Sequence, residues 1–91
     1  MAFTKEEAIE RARRDLSARL SVSSSAIKEP SVEETEFPDL ALGAAVAGEM
    51  SGQMLTPGWR IRLSANGQTF EYRANKDQIR LFNYDGRNYR I

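Results

Sequence analysis

Residues 59–74 read WRIRLSANGQTFEYRA, and this stretch decides the fold. Asn66-Gly67 lies between two alternating runs, and a type I′ turn needs positive φ at both central residues, which Asn and Gly adopt most readily. Closing the chain on those two residues places Leu63 opposite Phe70 and sets the register of the whole hairpin. The side chains predicted to share the core face are Trp59, Ile61, Leu63, Phe70, Tyr72 and Ala74.

The opposite face of this hairpin is predicted to be polar. Arg62 falls opposite Glu71, which is a favourable cross-strand pair. Arg60 falls opposite Arg73, which is a conflict of like charges unless a carboxylate or another anion lies between them. The register is retained because this is its one conflict.

The sheet is predicted to continue after residue 74. The turn at 75–78 leads into a strand at 79–84, with Ala74 opposite Ile79. Asp85-Gly86 is a second two-residue turn signal. If the strand pairing continues through this turn, Phe82 lies opposite Tyr89 and Tyr84 lies opposite Arg87, all on the outer face. The tail, residues 85–91, then contributes to an outer surface that is both apolar and cationic. The side chains predicted to form a partner-binding surface there are Arg73, Arg80, Phe82, Tyr84, Arg87 and Tyr89.

An amphipathic helix is predicted over residues 4–21. Thr4 and Glu7 form a Thr-x-x-Glu capping box, and acidic side chains suit the first turn of a helix. Ile9, Ala12, Leu16 and Leu20 recur at spacings of three and four and form one apolar stripe. Interleaved Glu, Asp and Arg residues indicate that the other face is solvated rather than a polyanion-binding strip.

Two weaker segments connect the helix to the hairpin. Residues 27–37 alternate loosely and include Pro30, which favours a bulged edge strand. Their acidic side chains make a calcium site an alternative, but the ligand spacing of a calcium loop is missing. Charged residues that protect a sheet edge explain the same side chains. Residues 40–58 are Gly-rich and are predicted to form a long loop, which is the first place to look for a binding site.

Composition limits the function. The 91 residues predict a single domain, 1–91, and 13 basic against 13 acidic side chains give no net charge for coating a polyanion. With no cysteine and no histidine, the chain lacks the usual nucleophile, general base and transition-metal ligands. We therefore expect neither an enzyme nor a cofactor or metal site.

No apolar run is long enough to cross a membrane, and the charged start differs from a signal peptide, so we expect a cytoplasmic protein without membrane contact.

These elements together predict an α+β fold. One N-terminal amphipathic helix packs on a three- or four-stranded antiparallel meander sheet.

The sequence also resembles a small bacterial domain that is common in cyanobacteria. The residues that carry the resemblance are the helix at 12–20, Phe37-Pro38-Asp39, Leu42-Gly43, the Pro57-Gly58-Trp59-x-Ile61-x-Leu63 run and the Asn66-Gly67-x-x-Phe70-x-Tyr72 run. The layout is similar to PepSY-type modules, which are associated with peptidase propeptides, and this similarity implies inhibitory binding. Many relatives have a cysteine directly after the Leu-Gly pair, where this chain has Ala44.

Three functions remain open at this point. The first is a non-catalytic module that binds a protein or peptide through the loop, an open strand edge or the Arg and aromatic face. Its alternative is that Phe82, Tyr84 and Tyr89 pack under the tail or a loop. The second function is self-association as a homodimer through the same face or an edge strand. The third is single-stranded nucleic-acid binding, which the zero net charge disfavours.

Overall fold

The computed structural model describes residues 2–91 and all of their side chains except that of Pro30. It has one helix and an antiparallel sheet of five strands in the order β1-β2-β3-β4-β5. The elements are α1 (Lys5–Leu20), a short 3₁₀ helix (Ser24–Ala26), β1 (Lys28–Phe37), β2 (Thr56–Ala65), β3 (Gln68–Ala74), β4 (Ile79–Tyr84) and β5 (Arg87–Arg90).

The prediction of three or four strands is therefore wrong, although the fold is α+β. The fifth strand arises because the tail turns back at Asp85-Gly86 and pairs with β4. Both turn residues have positive φ, 52° and 81°, as a type I′ turn requires. At the other edge, residues 28–37 form a full strand that pairs with β2 and has a register shift between Lys28 and Ser31.

The register of the central hairpin is confirmed. Leu63 pairs with Phe70, and Arg60 pairs with Arg73. The Glu71 carboxylate lies between these two arginines, 2.7 Å from Arg73 Nε and 3.3 Å from Arg60 Nε. Since Glu33 also accepts a 3.0 Å hydrogen bond from Arg60, the like charges are separated by carboxylates.

The helix packs across β2 and β4 on one face of the sheet, which we call the inner face. The predicted capping box is present, since Thr4 Oγ1 accepts from the Glu7 amide and Glu7 Oε1 accepts from the Thr4 amide. Leu16 is fully buried against the inner face, together with two small alanines of the helix. The buried cluster beneath the helix contains Ile27, Ile61, Leu63, Tyr72, Ala74, Ile79 and Leu81.

The other face of the sheet, the outer face, is covered by residues 38–55, which we call the cover segment. Its ends are closed by a 3.0 Å bond from the Leu40 amide to the Gly52 carbonyl, as in a compact Ω-loop. Asp39 Oδ1 accepts from the Ala41 and Gly43 amides at 2.9 and 3.0 Å. Three residues of the segment, Ala41, Leu42 and Ala44, are buried against the sheet. The predicted loop at 40–58 is therefore an ordered layer that ends where β2 begins at Thr56.

A bulge in β4 changes which side chains reach each face. Leu81 pairs with Tyr89 whereas Tyr84 pairs with Arg87, so β4 has one residue more than β5 between these pairs. The extra residue is accommodated at Asn83, which has φ 53° and whose amide donates to Asn88 Oδ1 at 2.8 Å. The predicted pairing of Phe82 with Tyr89 is wrong because a bulge inverts the alternation of the residues that follow it.

Within residues 2–91, no helix is both long and apolar enough to span a bilayer.

Candidate functional site: a groove beside the edge strand

The six residues predicted to form one outer surface lie in different places. Arg73, Arg80 and Phe82 are on the outer face under the cover segment. Tyr84 and Tyr89 are on the inner face and pack against the helix-side core. Arg87 is exposed in the edge strand β5. The predicted continuous patch does not form, because the bulge at Asn83 moves both tyrosines to the inner face.

Arg73 holds the cover segment to the sheet. Its guanidinium carbon lies 3.7 Å from the centre of the Phe82 ring and 5.4 Å from that of Phe37. The same guanidinium donates to the carbonyl oxygens of Leu42 and Gly43, both at 3.1 Å. Arg73 and Phe82 therefore make contacts within the fold.

Arg80 makes the second attachment. Only 4% of the residue is exposed, and its two terminal nitrogens donate to Glu49 Oε1 at 2.5 Å and Oε2 at 2.8 Å. Hydrogen bonds from Arg80 lower the pKa of Glu49 to about 2, helped by the Val46 amide. Because the charge of a buried guanidinium needs a partner, this bidentate pair fixes the middle of the cover segment over β4.

The rings of Tyr84 and Tyr89 both lie next to another arginine, Arg19. The Arg19 guanidinium carbon lies 5.5 Å from the centre of the Tyr84 ring and 4.6 Å from that of Tyr89. Its Nε donates to Asp15 Oδ2 at 2.7 Å, and the same oxygen accepts a 2.7 Å bond from Tyr72. Burial and the Asp15 hydrogen bond raise the pKa of Tyr72 well above its usual value. This cluster joins the end of the helix to the sheet, and its polar groups bind one another.

An open groove lies where β1 and β2 approach the turn between β3 and β4. Its volume is about 780 Å³. Its apolar wall is supplied by Leu40, Pro57 and Trp59. The polar groups that line it come from Glu34, Thr35, Glu36, Thr56, Asn75, Lys76, Asp77 and Gln78. The lining of this groove combines an aromatic side chain, Trp59, with charged groups.

The groove adjoins exposed apolar side chains. Leu40 in its wall is 46% exposed. Met54 and Leu55, which directly precede Thr56 of the groove in the chain, are 62% and 67% exposed. Large apolar side chains that stay in solvent next to a groove are typical of binding surfaces.

One side of the groove is an unpaired strand edge. β1 is the first strand of the sheet, and its pairing is interrupted near Pro30, which has no N–H to donate. Glu34 and Glu36 are exposed on this strand, and neither forms an ion pair with a described residue. The site therefore offers backbone hydrogen bonds, an indole surface and negative charge, all of which suit non-covalent recognition.

The sequence pointed to parts of this site but did not bring them together. It predicted the acidic edge strand and a binding role for the loop, whereas Trp59 was assigned to the core. Trp59 does pack against the core on the predicted face, but it is only partly buried, and its neighbour toward the edge strand is Glu34. An acidic residue opposite the first inward residue of the hairpin is the signal that could have revealed the groove.

The fold and the groove define a small α+β module in which a helix and an Ω-loop cover opposite faces of one sheet. The chain belongs to the DUF8738 family, a domain of unknown function, whose family model matches residues 9–82. That range includes the complete groove and excludes β5. No curated protein and no solved structure matches the chain.

Proposed function

We propose that this chain is a non-catalytic module that binds a protein or peptide in the groove at Trp59. The observation that carries the proposal is the combination of an exposed apolar wall with an unpaired strand edge. A monomer rarely leaves such a combination in solvent unless it serves as a binding surface. Trp59 supplies an aromatic side chain, a type that is enriched in interfaces.

The Arg and aromatic residues of the outer face give less support. Arg73 and Arg80 are bonded to carbonyl and carboxylate oxygens of the cover segment, and Phe82 is stacked under Arg73. A partner would need to displace the cover segment before it reached them. Homodimerisation and nucleic-acid binding, as inferred from that face, remain predictions from the sequence without a free surface to support them.

A peptide-display selection tests the proposal directly. Trp59 is the single tryptophan, so its emission reports the groove without labelling. Selected peptides are expected to bind saturably and to change the emission of Trp59, and Leu40→Ser is expected to weaken binding by about tenfold because it removes an apolar contact. Ile91→Ser is the matched control, since Ile91 is similarly exposed, at 39%, and follows β5 at the opposite edge of the sheet, outside the lining of the groove. A selection without saturable binders, or equal effects of the two substitutions, would contradict the proposal.

The resemblance to PepSY-type modules suggests a narrower form of the same proposal, in which the bound protein is a protease and binding inhibits it. Purified bacterial proteases of several mechanistic classes would be assayed with the wild-type chain and with Leu40→Ser. Inhibition that the substitution relieves supports this form. Inhibition that is unaffected by Leu40→Ser would place the inhibitory surface elsewhere.

A further inference from the structure

We infer that the ligand of the groove is an extended peptide segment with two basic residues two positions apart, which adds to the sheet as a strand along β1. The inference rests on the proposed function and names the chemistry of its ligand.

The edge of β1 provides the backbone contacts. One side of this strand pairs with β2 over residues 31–37, and the sheet places no strand on its other side. The outward N–H and C=O groups of alternate residues are therefore free to pair with an added strand. Pro30 and the register shift next to it limit regular pairing to the part of β1 that also borders the groove.

The charges along β1 select the ligand. Alternate residues of a strand point to the same face, so Glu34 and Glu36 lie on the inner side about 7 Å apart. Both are exposed and line the groove, and Glu34 is the cross-strand neighbour of Trp59. On the other side of β1, Glu33 is already paired with Arg60 and Arg62. The uncompensated charge therefore lies on the side that faces the groove.

The pattern of the ligand follows from this spacing. Residues directly opposite one another in an antiparallel pair point to the same side, so basic residues at two alternate positions would face Glu36 and Glu34. The next inward residue of β1 is Val32, which is partly buried against the core. An antiparallel ligand would accordingly read basic-x-basic-x-apolar from its N-terminus.

Self-pairing of β1 is disfavoured by the same charges. Two copies of this edge would bring like carboxylates together, which destabilises cross-strand pairs. Charge complementarity thus favours a basic segment over a second acidic edge.

The test uses two blocked peptides, TKTKTVT and TETETVT, titrated into the intact chain while Trp59 emission is followed. The lysine peptide is expected to bind at least about tenfold more tightly, and raising the salt from about 50 to about 500 mM is expected to weaken it several-fold, since exposed charges are screened. Backbone amides at alternate positions between residues 32 and 37 should become protected from hydrogen exchange, because strand addition pairs every second residue. Equal affinities for the two peptides, or unchanged exchange along β1, would overturn the inference.

The matched variants are Glu34→Gln/Glu36→Gln and Glu6→Gln/Glu10→Gln, which change the net charge equally and alter exposed side chains only. The first pair is expected to remove the preference for lysine, and the second is expected to retain it. If both variants act alike, the effect is one of global charge and the inference fails. If display selection yields peptides that bind at Trp59 but lack basic residues, the proposed function stands and this inference falls. A selection that yields no binder contradicts the proposed function itself.

Discussion

The turn at Asn66-Gly67 determines which side chains of the hairpin are buried and which are exposed. Leu63 is completely buried, whereas Leu55, in the cover segment, is 67% exposed. We expect Leu63→Ala to lower the free energy of unfolding by about 2–5 kcal/mol, because it leaves a cavity in the packed core. Leu55→Ala, the same change in solvent, should stay within about 0.5 kcal/mol. Urea unfolding followed by circular dichroism measures both, and similar losses for the two variants would show that the inner face is not the core.

At the level of elements, the bulge at Asn83 decides the arrangement of β4 and β5. Its φ of 53° is favourable for Gly or Asn and costs other side chains about 1–2 kcal/mol. We therefore expect Asn83→Gly to preserve the fold and Asn83→Val to destabilise it by about that amount or to shift the register. The ring-current shifts of Arg19 between Tyr84 and Tyr89 report the outcome by NMR. Retention of these shifts and of full stability in Asn83→Val would contradict the role given to this residue.

In the molecule as a whole, acidic groups of β1 and the cover segment meet basic groups of β2 and β4 across the outer face. The Arg80–Glu49 pair is the most buried of these contacts. Because the folded-state pKa of Glu49 is lowered from 4.5 to about 2, its contribution to stability is present above pH 4.5 and is lost as the pH falls toward 2.

Glu49→Gln should accordingly lower the urea midpoint at pH 7, and the difference from the wild-type chain should shrink steadily between pH 5 and pH 2. Glu36→Gln provides the control, since Glu36 is exposed and forms no ion pair with residues 2–91. Unfolding midpoints measured across this pH range check the prediction. A constant difference between wild type and Glu49→Gln would show that the pair does not hold the cover segment in place.

The sequence alone determined the features that depend on neighbouring residues. The hairpin register follows from two turn residues, and the start of the helix follows from the capping box of Thr4 and Glu7, because both are set by backbone geometry within a few positions. The second turn at Asp85-Gly86 was also readable, and so was the conflict between Arg60 and Arg73.

Only the tertiary structure decided how the faces were covered and where the groove opens. One αL residue, Asn83, inverts the alternation that follows it, and nothing local distinguishes it from an asparagine in a regular strand. The cover segment finds its place through contacts between distant residues, such as Glu49 with Arg80 and Leu42 with Arg73. Such contacts depend on which surfaces the folded sheet presents, so a pattern of neighbours along the chain does not contain them.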